Sequence, residues 1–260
     1  MGAPFCAGDG VIKTQGLMKK FQSVLAVDRL DLDIPPGEIF GFLGPNGAGK
    51  TTTVKLMTGL LRPTAGRAWV AGFDVQAEPR KAKKIMGLVP DQPYVYPHLT
   101  GNEFLRFIGD LYEVELSYQK KKIPELLEMF ELGDMGSELV ETYSHGMRQK
   151  LVLAGVLLHQ PKVLFLDEPM VGLDPKSARL VKDVFRRLSE TGVTLFMCTH
   201  VLEIAERLCH RVGIVQQGRM TRVGTIAELR AQAAQSGTLE DVFLALTGGD
   251  QYRDLLKYLG

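Results

Sequence analysis

A glycine-rich segment at positions 44–53, GPNGAGKTTT, combines residue types that can bind an anion. It matches the pattern Gly-x-x-x-x-Gly-Lys-Thr and follows the apolar run 39–43, which predicts a buried strand in front of a phosphate-binding loop. Glycines allow backbone dihedrals that other residues avoid, so successive N–H groups can converge on one anion at the start of the next helix. The segment therefore predicts a polyphosphate site, and a structural Gly-rich turn is the alternative.

Side chains in this segment supply the positive charge and the hydroxyl that a magnesium-bound polyphosphate requires. Lys50 is placed to reach the β and γ phosphates, and Thr51 is placed to offer its hydroxyl to the Mg²⁺ that bridges them. The other residues predicted to line the phosphates are Gly44, Pro45, Asn46, Gly47, Ala48, Gly49 and Thr52.

A pair of acidic residues, Asp167 and Glu168, follows the apolar run 163–166. This run predicts a buried parallel strand, and open α/β sheets present their ligands at the carboxyl ends of such strands. Asp167 is placed to join the Mg²⁺ shell, and Glu168 is placed to polarise an attacking water. The alternative is that the two acids cap the turn before Pro169.

The elements around the loop predict an α/β fold. Apolar and acidic residues alternate over 30–34, which indicates a half-buried strand, and together with 67–71 this predicts an antiparallel β layer. The run 193–198 predicts a further buried parallel strand. Asp174 followed by Pro175 has the residue types of a helix start.

Between about 93 and 158 the pattern becomes helical. Thr100 and Glu103 have the spacing of a capping box in front of an apolar helix. We therefore expect a helical subdomain over 93–158, inserted into an α/β domain at 10–230 that carries the phosphate loop, and a C-terminal helical extension at 231–260.

The composition argues against several classes of protein. The chain has 260 residues, 45% of them hydrophobic, and a formal net charge of +1, so a sizeable core can form and no strong field attracts nucleic acid. No apolar stretch reaches the roughly 20 residues that a membrane-spanning helix needs. Three cysteines without a Cys-x-x-Cys pair favour a reducing, cytosolic setting.

Further motifs follow the loop in an order that resembles the ATP-binding cassette of ABC transporters. Gln92 follows the apolar run 85–89, YSHGMRQ (143–149) precedes the acidic strand, GLDP (172–175) follows it, and Thr199-His200 ends the next strand. The resemblance covers nearly the whole chain. It implies a P-loop NTPase core with a mostly parallel sheet, an antiparallel β subdomain and an inserted helical subdomain, with ATP and Mg²⁺ as cofactors.

The resemblance also assigns roles that the loop and the acid pair leave open. Gln92 corresponds to the Q-loop glutamine and His200 to the switch histidine, and both are expected, like Glu168, to be catalytic. Taken singly, Gln92 also fits a polar loop residue, His200 a helix cap and Phe21 a core aromatic. The expected metal ligands are Thr51, Gln92 and Asp167. The other expected ATP contacts are Phe21 (stacked on adenine), Ser144 and Gly146 (signature segment) and Asp174 (D-loop).

The signature segment departs from the usual Leu-Ser-Gly-Gly-Gln of the family. Tyr143, His145 and Met147 replace leucine, the first glycine and glutamine, whereas Ser144 and Gly146 are kept. A serine hydroxyl and a glycine N–H at a helix N-terminus can still bind a γ-phosphate. The substitutions are therefore expected to change how tightly the signature segment binds ATP and how fast ATP is hydrolysed, more than whether the segment binds ATP.

The segment 143–149, with TLEDVFL at 238–244, resembles the ATPase subunits of bacterial ABC-2 type exporters. This implies a head-to-tail dimer of two ATPase chains with ATP between them, and a separate membrane-spanning permease. The chain itself is expected to be cytoplasmic, peripheral on the inner face of the cell membrane. The expected function is to power export from the cytoplasmic side by ATP hydrolysis. The alternatives are an importer ATPase, a regulatory nucleotide-binding module, and a soluble cassette acting on ribosomes or DNA. A single P-loop and the short insert at 93–158 argue against the soluble cassette.

Overall fold

The computed structural model of the protein describes residues 10–232 and 239–247. Residues 1–9 and parts of the predicted C-terminal helical extension, 233–238 and 248–260, lie outside the described residues. The strands are β1 (Ile12–Phe21), β2 (Val24–Ile34), β3 (Ile39–Leu43), β4 (Ala65–Val70), β5 (Phe73–Asp74), β6 (Met86–Val89), β7 (Val163–Asp167), β8 (Thr194–Thr199), β9 (Arg211–Gln216) and β10 (Arg219–Thr225). The helices are α1 (Lys50–Met57), α2 (Pro79–Lys84), α3 (Gly101–Leu111), α4 (Leu116–Met129), α5 (His145–Leu158), α6 (Pro175–Glu190), α7 (Leu202–Leu208), α8 (Ile226–Gln232) and α9 (Leu239–Thr247).

The larger of the two sheets in the described residues has six strands in the order β10-β9-β3-β8-β7-β6. Its pairs are parallel except at one edge, where β10 runs antiparallel to β9. Strands β3, β7 and β8 are buried along their whole length, as short apolar runs predict for strands covered on both faces. Because β8 lies between β3 and β7, the segments that follow these three strands meet at one edge of the sheet.

The two faces of this sheet bury different apolar clusters. Ile39 and Leu43 of β3 belong to the cluster that contains α3, α4 and α5, while Phe40 and Phe42 belong to the cluster shared with the smaller sheet. This alternation follows from the two-residue period of a strand. The ring of Phe196 in β8 lies 5.9 Å from that of Phe40 and 5.3 Å from that of Phe42, so aromatic packing joins β8 to β3.

The smaller sheet is antiparallel, with the strand order β2-β1-β4-β5. In β2 the apolar residues of 30–34 are buried and the intervening aspartates are exposed. The predicted antiparallel layer is therefore present, and its apolar face packs in the same cluster as α1. This contact holds the smaller sheet beside the loop between β3 and α1.

Capping side chains set the starts of two helices, α3 and α6, as predicted. The Thr100 hydroxyl accepts a hydrogen bond from the N–H of Glu103, whose carboxylate accepts one from the N–H of Thr100, and α3 begins there. Asp174 caps α6, with Pro175 as its first residue. Within the described residues, no helix has both the length and the apolar character to cross a membrane.

Candidate nucleotide-binding site

The loop between β3 and α1 approaches neighbouring backbone so closely that two of its positions accept only glycine. A Cβ atom on Gly44 would lie 2.5 Å from the carbonyl oxygen of Val215, and one on Gly49 would lie 2.3 Å from that of Ala26. Gly49 is also the N-cap of α1, with φ 102° in the left-handed region. Gly47 has φ 78° and open space around it, so its conformation alone favours glycine. The glycines therefore fix the shape of the loop in front of α1.

Lys50, the first residue of α1, carries an ammonium group into this loop. The residue is 7% exposed, and its Nζ donates to the carbonyl oxygens of Gly44 at 2.7 Å and Pro45 at 3.2 Å. The same Nζ lies 4.0 Å from Oε1 of Glu168. At a helix N-terminus the dipole and the lysine charge act in the same direction, so this position attracts an anion.

A cleft of about 470 Å³ opens in front of the loop. Nine predicted residues line it: Pro45, Asn46, Gly47, Gly49, Lys50, Thr51, Thr52, Asp167 and Glu168. Gly44 and Ala48 belong to the same loop but are buried. The cleft also contains residues that the sequence analysis missed, namely Val24, Leu25, Ala26, Asp91 and Gln217. Val24 and Leu25 are exposed apolar residues at the start of β2, and such a surface suits the flat face of a base.

Asp167 and Thr51 form the part of the cleft that suits Mg²⁺. Asp167 is 3% exposed at the end of β7, and the Thr51 hydroxyl is hydrogen-bonded to it. Burial raises the pKa of Asp167, the bond from Thr51 opposes this, and the charge of Asp91 adds to the rise. No group of three or more His, Cys, Asp or Glu side chains in the described ranges could hold a metal alone. A carboxylate and a hydroxyl nevertheless fit Mg²⁺, which takes its other ligands from water and phosphate oxygens.

The carboxylate of Glu168 lies between its own strand and the end of β8. The Glu168 backbone has φ 49°, in the left-handed region, and its N–H donates to the carbonyl of Cys198 at 3.0 Å. Oε1 lies 2.7 Å from Nδ1 of His200, and Oε2 accepts from the Thr199 hydroxyl at 3.1 Å. The structure thus brings Glu168 and His200 together and adds Thr199, which the sequence marks only as the neighbour of His200.

Besides the buried Gly44 and Ala48, and His200, which reaches the cleft only through its contact with Glu168, five predicted residues lie outside the lining of the cleft: Phe21, Gln92, Ser144, Gly146 and Asp174. Phe21 is 45% exposed, and the ammonium of Lys19 lies 5.0 Å from its ring centroid. Gln92 is exposed, and its N–H donates to the carboxylate of Asp91 at 2.9 Å. In this loop the side chain that lines the cleft is therefore that of Asp91.

The predicted signature and D-loop residues stand at two helix starts. The exposed Ser144 caps α5 by accepting a backbone hydrogen bond at 3.3 Å, and the exposed Asp174 caps α6. The Ser177 hydroxyl and backbone N–H groups that bond to Asp174 lower the pKa of its carboxyl. A Cβ atom on Gly146 would lie 3.1 Å from the carbonyl oxygen of Gly172, so the start of α5 adjoins the loop that follows the acid pair.

A phosphate loop after one parallel strand, joined through β8 to an acidic strand end, defines the class of P-loop NTPases, and this chain is one of them. Residues 27–171, more than half of the chain, match the family described as ABC transporter. The chain belongs to that family, in which it is an ATP-binding ATPase.

Individual relatives agree with this assignment. The chain is 40% identical over 220 residues to the daunorubicin/doxorubicin resistance ATP-binding protein DrrA of Streptomyces peucetius, covering 85% of this chain and 67% of the relative. It is 36% identical over 219 residues to the linearmycin resistance ATP-binding protein LnrL of Bacillus subtilis (strain 168), covering 84% and 70%. A solved ATP binding subunit of an ABC transporter matches with a TM-score of 0.86 and 27% identity, over 91% of this chain and 99% of that one. The predicted family, the predicted α/β P-loop fold and the predicted ATPase activity are confirmed.

Proposed function

We propose that this chain hydrolyses ATP to power export of a substrate through a separate membrane-spanning permease. The observation that carries the proposal is that Glu168, which lines the cleft, lies within 4.0 Å of Lys50 and 2.7 Å of His200. In this arrangement Lys50 supplies a cation for the terminal phosphate, Glu168 supplies a carboxylate base, and His200 contacts that base. The relatives named for daunorubicin and linearmycin resistance support export as the direction of transport.

The reaction requires a water to attack the γ-phosphate while ADP leaves. Glu168 would accept a hydrogen bond from this water through Oε1 and take its proton as the new P–O bond forms. Lys50 would stabilise the negative charge that the β and γ phosphates carry. His200, 2.7 Å from Oε1, would orient the carboxylate as the water approaches.

The remaining cleft residues would hold and orient the nucleotide. Mg²⁺ would neutralise charge between the phosphates, and its protein ligands would be Thr51 and Asp167, with Gln92 approaching from the loop after β6. The glycine loop would surround the phosphates. Val24 would pack against the base beside Phe21, since both are exposed at the turn between β1 and β2.

We infer that the signature segment acts on ATP held by a second copy of the chain. Ser144 and Gly146 lie outside the cleft of their own chain, at the start of α5, where a hydroxyl and unpaired N–H groups can bind an anion. A head-to-tail dimer would place them, with Asp174, against the γ-phosphate bound by the partner chain. ATP is then a contact between the two chains, so its hydrolysis weakens the dimer.

The permease contact is proposed to lie on the inserted helices. We divide the chain into an ATPase domain at 10–230, with the helical subdomain at 93–158 inserted in it, and a C-terminal extension at 231–260. Tyr96 and Phe107 are exposed, and their rings pack edge to face with centroids 5.3 Å apart. Exposed aromatic clusters of this kind favour a protein partner. Binding of the permease there would place this cytoplasmic chain on the inner face of the membrane as a peripheral subunit.

The variant Glu168→Gln tests the proposed mechanism, because it removes the base and leaves Lys50, Thr51 and Asp167 in place. We expect unchanged ATP affinity, a fall in phosphate release of about 10²–10⁴-fold, and an ATP-dependent dimer in size-exclusion chromatography. Glu190→Gln, the same change at the exposed end of α6, is the matched control and should behave as wild type. Normal hydrolysis by Glu168→Gln would remove Glu168 from the mechanism. An inactive, ATP-bound monomer would argue against the head-to-tail dimer.

Isolation of this chain from membranes with its bound proteins tests the direction of transport. A permease without a substrate-binding protein supports export. A substrate-binding protein that co-purifies with the permease would indicate an importer instead, and ribosomal proteins or DNA without a permease would indicate a soluble cassette.

A further inference from the structure

We propose that Thr199 is a positioning residue that orients the carboxylate of Glu168 toward the attacking water; this rests on the function proposed above for Glu168. Thr199 is the last residue of β8 and is 2% exposed. Its hydroxyl lies 3.1 Å from Oε2 of Glu168. Since β8 pairs with β7, the threonine reaches the acid from the neighbouring strand, and its position is fixed by the core of the sheet.

The surroundings of the Thr199 hydroxyl direct its proton to Glu168. The N–H of Val201 donates to the same oxygen at 3.1 Å, so one lone pair of Oγ1 is already used. A hydroxyl has a single proton to donate, and an ionised carboxylate can only accept. The bond therefore joins a neutral donor to a charged acceptor, a combination that is stronger than a bond between two neutral groups.

The two carboxylate oxygens of Glu168 consequently differ in their surroundings. Oε2 is held by a buried threonine, while Oε1 faces His200, whose side chain is 52% exposed, and Lys50 at 4.0 Å. The left-handed backbone of Glu168, with φ 49°, also requires fixed neighbours. Holding Oε2 sets the plane of the carboxylate, and this leaves Oε1 directed to the side where a water can enter.

The near-isosteric variant Thr199→Val removes the hydroxyl and keeps the volume. We expect kcat for phosphate release by the full chain with Mg-ATP to fall about 10–100-fold, the rate equivalent of one charge-assisted hydrogen bond. KM for ATP should stay within about twofold, because no nucleotide contact is removed. Thr199→Ser keeps the hydroxyl and should retain kcat near that of wild type.

Thr194→Val is the matched control in the same strand. Thr194 is 0% exposed, and its hydroxyl accepts from the N–H of Gly37 at 2.9 Å and donates to the carbonyl of Pro35 at 3.3 Å, far along β8 from Glu168. This variant should lose stability and keep kcat. Wild-type kcat in Thr199→Val, or an equal fall in both valine variants, would overturn the proposal. If Thr199→Val does not fold, Thr199→Cys, with a weak S–H donor, should be slower than Thr199→Ser, and equal rates would overturn it.

Double variants separate the contact with Glu168 from an effect on the turn to His200. The fall caused by Thr199→Val should persist in a His200→Ala background and shrink below about twofold in a Glu168→Gln background. The reverse pattern would show that Thr199 acts through the turn and would overturn the proposal. An active Glu168→Gln would refute the proposed role of Glu168 as the base, whereas an inactive Glu168→Gln beside a normal Thr199→Val would refute only the positioning role of Thr199.

Discussion

Gly49 allows a quantitative test of how the phosphate loop is built. The variant Gly49→Ala adds one methyl group at a position with φ 102°, where the new Cβ would lie 2.3 Å from the carbonyl oxygen of Ala26. The left-handed conformation alone costs an L-residue about 1–2 kcal/mol. The oxygen belongs to Ala26, which lies in β2 between the paired residues Leu25 and Val27. Relief of the clash therefore requires movement of the strand backbone, and overpacking of this kind costs a further ~1–3 kcal/mol. The total of about 2–5 kcal/mol is a large part of the usual stability of a domain.

Gly72→Ala is the control that separates conformation from contact. Gly72 has φ 81°, but an added Cβ would meet no atom within 4 Å, so only the conformational cost applies. Urea denaturation without nucleotide should show that Gly49→Ala loses about 1–3 kcal/mol more than Gly72→Ala. In ATP titrations Gly49→Ala should bind weakly, and Gly72→Ala should bind as wild type does. Equal losses of stability in the two variants would refute the inference that the loop is held against β2.

Three further changes address the cation, the second chain and the buried acid. Lys50→Ala should weaken ATP binding at least about tenfold, since the main side-chain cation is lost; undiminished affinity in the folded variant would contradict the phosphate-loop assignment. Mixing Ser144→Arg chains with Lys50→Ala chains should leave at most one competent site per mixed dimer, so phosphate release should stay below that of the wild-type dimer. Full activity of each variant alone would contradict the shared site. Burial raises the pKa of Asp167, so its contribution to stability is present below the ordinary aspartate pKa and is lost as the pH rises through the raised value. Asp167→Asn should therefore stabilise the protein at neutral pH without Mg-ATP and change little in acid, as measured by urea denaturation, and no gain at neutral pH would contradict this reasoning.

Those parts of the site that one segment builds alone could be predicted from the sequence. The glycines of 44–49 and Lys50 carry their own conformational and charge requirements, and the structure places them before α1 as expected. The same is true of the acid pair at the end of β7, because an apolar run followed by two acids marks both the strand and its functional end. Capping of α3 by Thr100 was equally local, since both partners lie within one turn.

The contacts between distant segments could not be predicted in this way. Periodicity records which face of a strand is buried but not which strand lies beside it, so nothing in the sequence joined Val24 or Gln217 to the phosphate loop. The sequence also did not show which of two adjacent loop residues lines the cleft: the structure places Asp91 in the lining and Gln92 outside it. The roles of Gln92, Phe21 and the signature residues stay predictions.

The position of β8 between β3 and β7 bears on how the chain becomes active during synthesis. Strands β3 and β7 leave the ribosome before β8, yet they do not pair with each other, and each pairs with β8. The phosphate loop and the acid pair are therefore joined through the sheet only once residues 194–199 have paired with both β3 and β7. Contacts with such large sequence separation are slow to form. Incomplete chains released before this pairing carry the motifs of an ATPase without its assembled centre.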